Sequence, residues 1–357
     1  MTEPTPPSNP ILGLSKPWVE NSNSIWLAST ISLYRNVEKF MYPSKLSSDR
    51  QKQIIGLVGK YLFNEEGLTG PSIVLSENTS PLEKEYLVEH FLSSYGFQHA
   101  HSGEAFIIDQ TGQFLATVND HDHIRLKIID CQGELESTWS RLVKLETSIG
   151  KSVTYSFLPK FGFLTADPSF CGTGLVATVF LQLPALIQID DIDEVLDKLA
   201  DESFLITGIQ GSPSEIIGDV LAIQNNYTTG VSEENIISGL RSLTTKLLLE
   251  ENRARKSIMH SQNPNVKDQV SRAFGILLHS YQIEAVEALN AISLMKLGVE
   301  IKWISGISIA QLNHLFFNCR RSHLMSFYGN TIAQEEIPHK RSEYIHKALK
   351  EARLLIE

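Results

Sequence analysis

Residues 24–36 carry apolar side chains at every second position, with Ile25, Leu27, Ile31 and Leu33 in one row and Ser29 among them. That period predicts a strand. The period becomes helical over 48–62 and again over 81–92. Three short apolar runs, 105–109, 114–119 and 124–129, read as strands, with Gly112 in the first connection as in a hairpin. A helix is expected over 134–149. Strands are expected over 161–164 and 175–183, bracketing a glycine-containing loop. A helix over 190–200 and strands over 205–209 and 220–224 follow. From residue 232 the pattern is helical throughout: 232–259, with a serine available as N-cap, then 266–280, 283–297, 309–327 and 342–355. Almost no strand signal remains there. The row Ile283, Val286, Ala288, Leu289, Ile292 and Leu297 is assigned first to core packing. The polar stretch HSQNPN (260–265) marks a boundary. The expected plan is a flexible, proline-rich arm at 1–17, a domain at 18–258 mixing strands and helices, and a helical domain at 259–357.

Composition narrows the function classes. The 357 residues suffice for two domains and a large core. The net charge of −10, without a Lys/Arg run, argues against bulk nucleic-acid binding, which needs a basic face. No apolar run is long enough to span a bilayer, and the N-terminus lacks the plan of a signal peptide. Cys131, Cys171 and Cys319 are odd in number and far apart. They suggest neither a disulfide framework nor a CxxC metal pair and suit a reducing cytoplasm. His99/His101 and His121/His123 have the i,i+2 spacing of a shared strand face; a metal site would want a third ligand as well, and none is expected. The run EENRARK (250–256) reads as a solvated helix face with i,i+4 ion pairs.

The most informative segment is FGFLTADPSFCGTGLVATVFLQLPAL (161–186). Four others accompany it in order: SIWLASTISLYRN (24–36), PLEKEYLVEHFL (81–92), VNDHDHIRLK (118–127) and TGIQGSPSEIIGDVLAIQN (207–225). Together they resemble the bacterial protein-arginine kinases, a branch of the ATP:guanido phosphotransferases or phosphagen kinases, over nearly the whole chain. The resemblance implies an α+β fold: a phosphagen-kinase-like (glutamine-synthetase-like) antiparallel sheet flanked by helices, then an all-helical C-terminal domain. It implies ATP and Mg as cofactors, phosphoryl transfer to protein arginine, a homodimer, and an activator or regulated protein as partner.

That chemistry needs arginines to hold the phosphates and carboxylates to align the acceptor guanidinium and take its proton. By resemblance, the nucleotide positions are Ala28, Ser29, Thr30, Ile31 and Ser32; Arg125; Val176, Ala177, Thr178, Val179 and Phe180; and Thr207, Gly208, Ile209, Gln210, Gly211 and Ser212. The family's arginines align with Thr30, Ser32, Val176 and Thr207; Arg125 alone keeps its place. The two catalytic glutamates align with His121 and Ser212, the cysteine with Asp167, and a loop asparagine with Phe170. Asp167 suits a loop cap or solvated acid better than a relocated carboxylate. Arg35 reads as a structural ion pair, and Gly172 and Gly174 as loop-shaping residues. The phosphoarginine-receptor pair has no counterpart in EEIPHKRSEY (335–344), although Arg341 lies there. No substitute arginine cluster is evident. The leading reading is a pseudokinase that acts as a binding or regulatory module. The alternative is an active kinase with a rearranged site, in need of an activator. A third is a phosphoarginine or peptide reader.

Overall fold

The computed structural model describes residues 10–93, 103–329 and 331–356; His99 and His101 lie outside them. The chain runs β1 (Trp26–Arg35), α1 (Ser48–Leu62), β2 (Ser72–Leu75), α2 (Pro81–Glu89), β3 (Ala105–Ile108), β4 (Phe114–Val118), β5 (Ile124–Asp130) and α3 (Leu135–Gly150). The short strands β6 (Phe157–Leu158) and β7 (Gly162–Phe163) follow, then β8 (Leu175–Gln182), α4 (Pro184–Gln188), α5 (Ile192–Leu199), β9 (Phe204–Gly208) and β10 (Val220–Asn225). The remainder comprises α6 (Glu233–Ser261), α7 (Pro264–His279), α8 (Ala285–Glu300), β11 (Ile304–Ser305), α9 (Ile309–Asn318), α10 (Arg321–Phe327), α11 (Ile337–Ala348) and β12 (Arg353–Leu354). Eight strands form one sheet in the order β2-β3-β4-β5-β1-β8-β10-β9. Its pairings from β2 to β1 are antiparallel.

Packing divides the chain into two compact units, and the expected boundary near residue 258 falls inside α6. The first holds the residues up to Pro17, Ser29–Thr178 and Asn225–Gly239. The second holds Trp18–Ala28, Val179–Gln224 and the chain from Leu240. In the first, the rows of β3, β4 and β5 that include Ile107, Ala116 and Ile128 are buried with Leu142 and Leu145 of α3. Ser80 starts α2 with a reciprocal capping box to Glu83. The expected flexible arm is corrected over its described part: Ile11, Leu12 and Leu14 are buried, and Ser15 N–H donates to Gln110 O.

In the second unit the segment before β1 is part of the core. Trp18 stacks on Phe317 at 4.2 Å. Asn21 Nδ2 donates to Leu27 O, and Asn313 Nδ2 of α9 donates to Asn21 O. The apolar row on α8 is core, since Ala288, Leu289, Ile292 and Leu297 are buried; Val286 alone is exposed. The helix expected over 309–327 is two helices. Arg320 takes an extended backbone, and its Nε donates to Phe317 O, serving a terminal carbonyl of α9. The helix expected to reach 355 stops at Ala348. Arg353–Leu354 instead pairs with Ile304–Ser305, so the C-terminal region is helical except for this two-residue pair. No helix among the described residues is long and apolar enough to cross a membrane.

The run 250–256 is also corrected. Glu250 and Arg253 pair in solvent, but Glu251 and Arg255 are buried. Glu251 accepts the N–H groups of Ala185 and Leu186 at the start of α4 and the Nε–H of Arg255 at 2.8 Å. Arg255 donates onward to Ser24 Oγ. Nearby Lys296 is fully buried, with its ammonium donating to Gln182 Oε1. Burial pushes that ammonium down to about 7 from an ordinary 10.5.

Two predictions follow from this network. Glu251→Ala strands a buried guanidinium and two helix N–H groups and should cost about 3 kcal/mol or more; a loss below about 1 kcal/mol in urea unfolding would contradict the role. Lys296 is the second case. Above about pH 7 the unfolded chain binds the Lys296 proton more tightly than the folded chain, so stability should rise with pH toward 9. The rise should shrink in Lys296→Met; an unchanged slope of Tm against pH would refute it.

Candidate active-site region

The first unit gathers three of the motif segments around one buried carboxylate. Asp122 accepts from Asn36 Nδ2 at the end of β1 and from Ala166 N–H at 2.7 Å in the loop after β7. Asn36 Nδ2 also donates to Leu164 O, and its Oδ1 accepts His123 N–H at 2.9 Å. His123 Nδ1 accepts Val37 N–H, and its Nε2 meets Met41 O at 2.8 Å. Both ring nitrogens are engaged, so His123 is a structural residue. Burial raises the Asp122 carboxyl, opposed by the bonds from Asn36 and Ala166.

The glycine-containing loop is built from within. Gly172 has φ +108°, and a Cβ there would lie 2.1 Å from Thr228 O. Only glycine fits so close an approach. Thr228 Oγ1 donates to Ser169 O and Cys171 O. Asp167 is exposed and caps the short turn Pro168–Phe170, accepting from Ser169 N–H and Oγ–H. Those two bonds hold its carboxyl below the usual range. Phe170 stacks on Tyr34 at 5.0 Å. Arg35 pairs with Glu146 at 2.7 Å, donates to Tyr34 O and Thr173 O, and lies over Phe163. It is a structural ion pair, as its position suggested.

The face of the sheet that the resemblance assigns to phosphate is short of charge. In register, Thr30 pairs with Ile129, Ser32 with Lys127 and Tyr34 with Arg125. Thr30 and Ser32 are buried, and Val176 on β8 is partly exposed. Arg125 is buried, and its Nη2 reaches Thr117 Oγ1 at 3.4 Å. Ala177 N–H is held by Asn225 Oδ1. His121 has an 80% exposed side chain 3.9 Å from Asp120 and helps to line a cavity of about 500 Å³ with Tyr42, Ser44, Gln51, Asn119 and Ala166. The sequence reading passed over Lys127, two residues beyond Arg125. Alternation along a strand puts both on one face, and that spacing was the available signal.

The remaining positions lie in the second unit. Thr207 ends β9. The turn after it is closed by Gly208 N–H donating to Ser212 O at 2.7 Å, and Ser212 Oγ meets only Ser214 Oγ at 3.1 Å. Ala28, Val179 and Phe180 are buried strand residues.

Comparison with known proteins places this geometry. The family model of the ATP:guanido phosphotransferase C-terminal catalytic domain matches residues 54–254. That of the protein-arginine kinase McsB C-terminal domain matches residues 263–355. The chain is 34% identical to the protein-arginine kinase of Chlamydia pneumoniae, over 85% of this chain and 84% of that one. It is 31% identical to that of Clostridium acetobutylicum, over 94% of this chain and 100% of the relative. Among solved structures, the duplicated taurocyamine kinase of Schistosoma mansoni with transition-state-analogue components matches with a TM-score of 0.57 and 22% identity. That match covers 70% of this chain and 36% of the duplicated one. A lombricine kinase matches with a TM-score of 0.56 and 19% identity, over 70% and 72%. The fold is that of the phosphagen kinases. The chain belongs to the ATP:guanido phosphotransferase family and, within it, to the bacterial protein-arginine kinases.

Asp122 supplies the prediction of this region. Asp122→Ala should release the Ala166 amide to fast hydrogen exchange and destabilise the protein by about 2 kcal/mol, the cost of orphaning buried donors. Unchanged protection of Ala166 would show that another contact holds the loop.

Proposed function

We propose that this chain is a catalytically silent member of its family, a pseudokinase that serves as a binding or regulatory module. One observation carries the reading: Thr30, Ser32, Val176 and Thr207 stand where resemblance places phosphate-binding arginines, and none brings charge. Removing one preorganised donor from a transfer site costs about 10²–10³ in rate, and several losses compound without adding. The acceptor side is equally bare. A histidine at 121 offers one neutral acceptor or two donors, and Ser212 a single hydroxyl; neither can clamp a guanidinium between two anionic oxygens. Asp167 spends its carboxylate on its own turn.

Magnesium and ATP, which the family uses, do not fit this donor set as transfer substrates. A triphosphate with a developing metaphosphate charge needs more cations than this face supplies, and no transfer step is derived through it. What the chain keeps is packing and turn chemistry, which supports a protein whose surfaces matter. A homodimer and an activator or regulated protein partner belong to the reading; light scattering that finds a monomer at tens of micromolar would remove the dimer from it. The rival reading, a working kinase with a rearranged site, is favoured by Lys127.

Incubation with Mg-ATP and an arginine-rich protein is expected to yield no acid-labile phosphate above background, with or without an activator. Robust phosphoarginine by mass spectrometry would overturn the proposal. Mg-ATP affinity in the low micromolar range, lost in Arg125→Ala, would also count against it.

A further inference from the structure

The large sheet ends at β9, which has β10 on one side and no strand on the other. Among the described residues, Leu205, Ile206 and Thr207 make no main-chain bond to a segment outside the sheet. A row of N–H and C=O groups is therefore open along FLITG (204–208). Sheet edges are commonly blunted by a lysine or a proline; this strand has neither and carries no charge. Its side chains add apolar surface. Leu205 is 45% exposed, and Phe204 and Ile206 are half-buried. The segment after β9 folds back so closely that a Cβ on Gly208 would lie 1.9 Å from Glu215 O, and the next residue, Ile216, is also exposed.

The chain leading into this edge is acidic. Residues 190–202 hold seven carboxylates and one cation, Lys198, and all eight residues are exposed. That surplus of six accounts for more than half of the net charge of −10. On α5, Asp193 and Asp197 stand one turn apart, and Glu194 takes Lys198 as its pair. Asp201 then shapes the turn into β9: its main-chain oxygen accepts Phe204 N–H, and its carboxylate accepts Ser203 N–H at 2.8 Å. The backbone itself thus carries negative charge up to the start of the open strand. An acidic helix alone needs only solvent. Beside an open, uncharged edge it selects what can pair there, since an acidic segment is repelled and a basic one drawn in.

We propose that β9 takes up an extended, lysine- or arginine-bearing segment of a partner protein as an added strand, its apolar side chains over Leu205 and its cations toward Asp201, Glu202 and α5. In such strand addition the main-chain bonds supply affinity and alternate side chains supply specificity. A second copy of this edge would bring the same negative surplus with it, which counts against self-pairing. The surface goes beyond the silent-kinase reading and does not depend on it, because neither ATP nor an acceptor arginine takes part.

The probe is a short fluorescein-labelled peptide of alternating lysine and valine, which offers no arginine; its control alternates glutamate and valine. The full-length chain is titrated into each and followed by anisotropy. Saturable binding of the lysine peptide, weakening as salt rises, is expected, and none of the control. Leu205→Lys removes an apolar contact and charges the edge, and should weaken binding about tenfold. Asp193→Asn combined with Asp197→Asn, which leaves the turn at Asp201 intact, should weaken it about threefold. These positions are exposed, so the unfolding midpoints should match that of the parent. A second measurement needs no variant: amides of β9 that point away from β10 should gain protection from hydrogen exchange when the peptide binds. Absence of binding to the parent, or undiminished binding to Leu205→Lys, overturns the proposal. Binding without added protection in β9 also overturns it, by showing charge attraction alone. Protection of those amides in the free chain, together with a dimer in light scattering, would give the edge to a second copy and equally refute it. Phosphoarginine formation would refute the silent-kinase reading and leave this edge as it stands.

Discussion

The contact between Asn36 and Asp122 holds together the part of the first unit where three motif segments meet. One carboxylate receives the amide of Asn36 from the end of β1 and the N–H of Ala166 from the loop after β7, and Asn36 in turn holds His123 N–H and Leu164 O. Three segments far apart in the chain thereby share one buried polar centre. A half-satisfied centre of this kind costs more than none, because each buried group left unpaired carries its full desolvation penalty. All its residues must therefore be kept together, whether or not the neighbouring surface still performs chemistry.

This separates scaffold from reactive groups. Gly172 is required by a backbone approach that no side chain tolerates, and Thr228 ties down the same loop. The positions that the resemblance assigns to phosphate carry no such constraint. Thr30, Ser32 and Val176 sit in strands whose ladders are indifferent to the side chain, so arginines there answer to a ligand and not to the fold. Beside that face Tyr34 and Phe170 stack on each other at 5.0 Å.

Local pattern determined a great deal. Helix α1 and the long helices α6 to α8 follow from a period of 3.6, with Ser232 available ahead of α6, and the strands β3 to β5 from short apolar runs, because these depend on near neighbours in sequence. The motif segments also pointed to the family, and which residue stands at each motif position was legible directly. The capping by Asp167 could be anticipated because it serves its own turn; Arg35 could be read as an ion pair, but its partners Glu146 and Thr173 lie far along the chain.

Tertiary structure decided what depends on distant partners. Ile11, Leu12 and Leu14 lie in a proline-rich segment with no period, so their burial waits on the surface they meet. Glu251 and Arg255 have the spacing of an exposed ion pair; they are buried because Glu251 closes the N-terminus of α4, 65 and 66 residues earlier in the chain. The β11–β12 pair likewise comes from long-range bonds that override a short apolar period. Lys127 is a further instance. In sequence it is one lysine in HIRLK, and only strand pairing reveals that it faces Ser32, adjoins Arg125 and has no carboxylate beside it. Periodicity records which face a residue occupies, whereas charge balance is a property of the neighbours that the fold brings to that face.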